Sequence, residues 1–135
     1  MRRILYLVAV VVSFIAFSCE EEVSERFRLL TTPVWTSDSL LAEGIDAGNP
    51  GGILENFKGD AQFNEDGTGV FGKYEGTWKF VYDETQLTIS SDSLMVPLTA
   101  NIVELNEISL KITTSYPVKT DPDNPLDIRM TFKAK

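Results

Sequence analysis

The chain has 135 residues, with 12 Lys and Arg against 20 Asp and Glu for a formal net charge of −8 at pH 7, no histidine and one cysteine. That acidic balance repels phosphate backbones and anionic headgroups, which argues against nucleic acid as a partner. Without histidine and with one thiol, Ser-His-Asp and Cys-His nucleophile arrangements and His- or Cys-based zinc sites are out of reach, and most enzyme classes go with them.

Residues 1–18 begin with Arg2 and Arg3, continue as an apolar run from Ile4 to Phe17, and end on small Ser18 before Cys19. This is the three-part layout of a secretory signal peptide. The apolar run of 14 residues is short for a membrane span, and Glu20, Glu21 and Glu22 follow it where stop-transfer basic residues would be expected. Cys19 could be a core residue, a leftover thiol or a lipid-attachment site. It lies outside every strand-like segment and has no second cysteine to pair with, so lipid attachment is the favoured reading. The segment "AFSC" resembles a lipobox: Ser18 fits the small-residue position, while Ala16 and Phe17 depart from the pattern. The resemblance implies cleavage before Cys19 and a membrane partner held through acyl chains on its sulfur. Two or more such chains anchor durably, at about 0.8 kcal/mol per buried methylene.

The acids behind Cys19 suit a solvated tether, and they also resemble the surface-export signal of Bacteroidota lipoproteins. That resemblance implies an outer-membrane lipoprotein exposed at the cell surface. The expected organisation is a signal peptide (1–18), a lipidated acidic tether (19–28) and one domain (29–135). Losing Arg2 and Arg3 takes the net charge from −8 to −10.

Beyond the tether, apolar and polar residues alternate with period two, broken by turn residues. Eight strands are predicted, at about 29–36, 56–64, 68–73, 76–82, 86–91, 94–105, 108–114 and 126–134. Trp78, Phe80 and Tyr82 share one face of "GTWKFVY"; Leu87 with Ile89, Ile108 with Leu110 and Ile112, and Met130 with Phe132 repeat the pattern. A parity change at Ile102–Val103 predicts a bulge near Asn101. Turns at Asp66-Gly67, Asp83 to Thr85 and Asn106-Glu107 favour a meander, and eight sequential strands can close into an up-and-down antiparallel barrel without free edges.

The order "FNEDGTG", "GTWKF", "QLTIS", "IVELNEISLKI" and "IRMTFK" resembles the lipocalin-like domain of small Bacteroidota lipoproteins, over roughly residues 29–135. The resemblance implies a compact eight-stranded barrel or half-barrel and no particular ligand. An immunoglobulin-like sandwich is the alternative.

In a meander the long connections 36–55 and 115–125 share one mouth, provided "VFGKYEGTW" forms two strands; a short helix over Leu40–Ile45 could cover that mouth. The inward residues are large, so a packed interior with a shallow rim pocket is expected. Trp35 and Tyr116 are candidate contacts at the mouth for a small molecule, glycan or protein partner, with Trp35 alternatively an end-of-barrel plug. Asp38-Ser39-Leu40 and Asp92-Ser93-Leu94 resemble a Bacteroidota O-glycosylation pattern, which makes Ser39 and Ser93 candidate modification sites; in turns, the same residues serve as caps. "DPDNPLD" has the acids of a calcium loop but lacks its glycine, so no metal or cofactor is expected. The function expected is a non-enzymatic, lipid-anchored binding or accessory module at the cell envelope. The alternatives are a protein inhibitor or structural partner in an envelope complex, and a small apolar ligand carrier.

Overall fold

The alternating segments become strands in the computed structural model, which describes residues 23–118 and 121–135. Helix α1 (Glu25–Thr31) precedes β1 (Trp35–Ala42), β2 (Ile45–Asp46), β3 (Asp60–Phe63), β4 (Thr68–Phe71), β5 (Tyr74–Val81), β6 (Gln86–Ser91), β7 (Leu98–Leu105), β8 (Ser109–Val118) and β9 (Asp121–Ala134). From β3 onward each strand pairs antiparallel with the next, and β1 pairs antiparallel with both β3 and β9. The eight strands β1 and β3 to β9 thus form a closed up-and-down barrel of lipocalin-like form, and β2 only folds back on the end of β1. A sandwich would leave two separate sheets, whereas this sheet returns to its first strand.

Inward positions meet at the axis. Phe63, Phe71, Trp78, Leu87, Ile89, Leu98, Leu110, Ile112, Met130 and Phe132 are all buried. The void between Phe63, Phe71, Ile89, Ile112, Met130 and Phe132 is about 10 Å³, room for one water at most, so among the described residues the barrel axis is filled by side chains. Edge-to-face packing of Trp78 on Phe63 and Phe80, with centroids at 5.7 and 5.4 Å, links β3 to β5.

Where a tether and a first strand at 29–36 were expected, residues 25–31 are helical. Ser24 caps the helix, its hydroxyl accepting from Phe27 N at 3.1 Å, and Pro33 follows its end. The helix plugs the end of the barrel that carries the tight turns. Leu30 is buried, Phe27 packs on Trp78 with centroids 5.6 Å apart, and the Trp35 indole N–H donates to the Leu30 carbonyl at 3.0 Å. Arg26 and Ser24 donate to the carbonyl and carboxylate of Glu84, at 2.9 and 2.5 Å. Glu84 is the third of three consecutive residues with left-handed backbone, at φ 52°, 53° and 64°. That conformation costs roughly 1–2 kcal/mol per residue, and the two helix bonds hold the turn in it.

Other expectations are corrected in detail. Leu40–Ile45 is not helical: β1 runs on to Ala42 and turns through Glu43-Gly44, both at positive φ, into β2. Residues 115–118 and 121–125 are not an open loop, because β8 and β9 stay paired out to Val118 and Asp121. Tyr82 and Ile108, expected inside, fall in turns and are 76% and 72% exposed. The β7 register shift lies between Ile102 and Glu104, as the parity change required. "VFGKYEGTW" forms two strands joined by Gly72-Lys73, so the parity holds and the long connections share a mouth.

Two predictions follow from the closed end and the strand ends. Trp35→Ala is expected to lower stability by about 3–5 kcal/mol, and Trp35→Phe by about 1–3 kcal/mol because the buried Leu30 carbonyl loses its donor; urea midpoints measure both. The carboxyl groups of Asp60, bonded by the Lys135 ammonium, Asp66, bonded by Thr68, and Glu104, bonded by Ser109 and Lys111, are all held below the ordinary carboxylate range. Because these folded-state values are depressed, the stability they contribute is present above the unfolded values near about pH 4 and is lost as pH falls through the folded ones. Urea midpoints are therefore expected to stay level from neutral pH to about 5 and to decline in stronger acid.

Candidate functional site

Four chain segments meet at the mouth: residues 43–59, the Gly72-Lys73 turn, residues 92–97 and the far half of the β8–β9 hairpin. The first folds over the top of the barrel as a small unit with its own polar staples. Asp46 accepts from Gly48 N at 2.9 Å, Glu55 accepts from Gly51 N at 3.1 Å, and Ala47 N and Leu54 N donate to the carbonyls of Leu40 and Ala47. These bonds press Ala47, Leu54 and Phe57 into the top of the core. A 3-10 turn, Glu55–Phe57, sets the Phe57 ring 4.7 Å from that of Tyr74.

Gly72 fixes that contact. Its φ is +64°, and a Cβ there would stand 2.2 Å from the Asn56 carbonyl oxygen, so only glycine lets the β4–β5 turn close on the 3-10 turn. The backbones are then joined through Gly72 N to Asp60 O at 2.9 Å and Lys73 N to Asn56 O at 2.7 Å.

Between these segments lies a bowl of about 440 Å³. Leu54, Phe57, Leu98 and Ile128, all buried, form its floor, and Tyr74, Leu94 and Tyr116 are half-buried in its wall. Ile53 and Met95 stand on its rim, 50% and 53% exposed. Asp92, Ser93 and Pro117 complete the lining. The bowl thus sits above the packed core and does not enter it. Its size lies within the range of small-molecule sites, roughly 300–1,000 Å³, and its apolar wall with few polar groups is of the same kind.

The candidate residues separate. Tyr116 lines the bowl, its hydroxyl 3.5 Å from the Val96 carbonyl. Trp35 lies at the opposite end, fully buried against α1, and has no face left for stacking on a ligand; its position is that of the plug. The two differ because β1 starts at Trp35, which puts the indole at the strand's closed-end terminus instead of its mouth terminus. Ser39 is in β1, half-buried, its hydroxyl 2.6 Å from that of Thr131. Ser93 is exposed in the β6–β7 connection on the bowl wall. Cys19 lies outside the described residues. In the hairpin, Asn124 donates to both carboxylate oxygens of Asp121, and no three His, Cys, Asp or Glu side chains converge among the described residues.

Ile53, Leu54, Phe57, Tyr74, Leu94 and Met95 are lining residues that sequence patterning did not single out, whereas Leu98 was expected inside the barrel. The glycine-bearing "GNPGGILENF" was the available signal, since an apolar trio inside a long loop must bury itself somewhere.

Compared with models of protein families and with curated proteins, the sequence gives no match. The class rests on strand pairing: a closed eight-stranded antiparallel up-and-down barrel, the general kind used for small-molecule or accessory binding.

Gly72→Ala is expected to destabilise the protein by about 1–3 kcal/mol through backbone strain and the clash with Asn56. Protection of Lys73 N–H from hydrogen exchange should fall more than that of β7 and β8 amides.

Proposed function

We propose that the protein is a non-enzymatic binding module that holds a small, largely apolar ligand in the bowl at the barrel mouth. The observation that carries this reading is the pairing of a filled interior with an open, apolar bowl of about 440 Å³ lined from the 43–59 segment, the 92–97 connection and strands β5, β7, β8 and β9. A carrier that swallowed its ligand would need space along the axis, and the side chains there occupy it. The bowl's rim keeps Ile53 and Met95 in solvent, a cost of exposed apolar surface that a bound ligand would relieve.

On the same reading the module works at the cell envelope as an outer-membrane lipoprotein, anchored by acyl chains on Cys19 and exposed at the surface. Support comes from the Arg2-Arg3 start, the apolar run, "AFSC" and the three glutamates behind it. Helix α1, the element nearest Cys19 in the chain among the described residues, lies at the closed end, so an anchor at Cys19 would point the mouth away from the membrane. Intact mass of the protein from native membranes is the check: a lipid adduct on a chain starting at Cys19 is expected, and a free thiol contradicts the anchor.

The bowl itself is tested with Nile red, a neutral dye that brightens in apolar surroundings. Saturable binding is expected, and Ile53→Asp and Met95→Asp should each weaken it by about tenfold or more with little change in melting temperature, since both side chains are exposed. Binding unchanged in both variants would contradict the site.

A further inference from the structure

The lining of the bowl is uneven in charge. Among the described residues that line it, Asp92 is the only carboxylate and there is no lysine or arginine. Asp92 is exposed and makes no ion pair among the described residues, whose salt bridges join Lys111 to Glu104, Lys133 to Asp38 and Lys135 to Asp60. Lys58 and Lys73, cations of two of the mouth segments, are exposed and stand outside the lining, and Lys119 lies outside the described residues. Tyr74 on β5 and Tyr116 on β8 line the bowl on the strands that flank the connection carrying Asp92. Their ring faces carry the negative side of the aromatic quadrupole.

An anionic amphiphile such as a fatty acid would therefore bring a carboxylate to a wall whose described residues carry one like charge and no cation, within a strongly acidic protein. A neutral amphiphile would gain only from the apolar floor. A cationic one would gain from the floor, from Asp92 and from the tyrosine rings beside it. We propose that the bowl is selective for hydrophobic cations, meaning an alkyl or aromatic body carrying one protonated amine or quaternary ammonium group, and discriminates against fatty acids. The inference rests on the bowl being a ligand site and adds the class of ligand it takes.

Three probes of equal chain length separate the two levels when titrated below their micelle concentrations: decyltrimethylammonium, decanol and decanoate. Calorimetry at low ionic strength is expected to rank them in that order, with the cation at least about tenfold tighter than the carboxylate and the gap narrowing in added salt. Asp92→Asn should bring the cation close to decanol while leaving decanol unchanged, and Asp92→Lys should reverse the order of cation and carboxylate. Asp92 is an exposed loop residue, so both variants are expected to fold, which their melting temperatures check. Equal binding of all three probes, or a cation preference unmoved by both Asp92 variants, overturns the selectivity while leaving the bowl in place. Failure of all three probes to bind overturns the bowl as well.

Discussion

The structure depends on β1 being hydrogen-bonded along both edges. On one side it pairs with β9 from Trp35↔Ala134 to Ala42↔Ile128, with a bulge between Ser37 and Ser39. On the other it is served by a relay of short partners: β3 takes Trp35 and Thr36, Gly59 exchanges bonds with Ser37, Ala47 donates to Leu40, and β2 takes Leu41 and Ala42. A barrel open at this strand would present a row of unpaired backbone groups to solvent and to other chains. Three of the four partners in that relay lie in residues 43–59, so the segment that closes the barrel is also the one folded over its mouth. Closure and site are one construction.

From this follows the division of the molecule into a filled interior and a lined top. With eight strands and large inward residues from nearly every strand, no room is left along the axis. The apolar residues of the mouth segment cannot enter that interior and settle on it instead, giving the bowl its floor at Leu54 and Phe57. The closed end is finished differently. Helix α1 lays Phe27 and Leu30 on the core and spends its polar groups on Trp35 and on the strained turn at Glu84.

Much of this was legible from alternation alone, because a half-buried strand must repeat every two residues wherever it lies in the chain. The strand count, the β7 bulge and the sharing of one mouth by the long connections all came from that periodicity. The first strand did not, since Leu29-Leu30-Thr31-Thr32 reads locally as strand and only the Ser24 cap and Pro33 mark it as the end of a helix. That single displacement moved Trp35 from one end of the barrel to the other. The connection expected at 115–125 gave way to paired strands, and its prolines are tolerated because the outer edges of that hairpin have no neighbouring strand beyond Thr113 and Ile128. The bowl was the least legible part: Phe57, Leu98 and Met95 are far apart in sequence and are joined only by closure.

Two methionines report on the central claim, that ligand is held above the barrel and not within it. Met95 stands on the rim and Met130 is 1% exposed in the interior. In protein carrying carbon-13 methionine methyl groups, titration with decyltrimethylammonium is expected to move the Met95 resonance in step with binding and leave that of Met130 in place. A Met130 shift equal to or larger than that of Met95 would place the ligand inside the barrel and contradict the account.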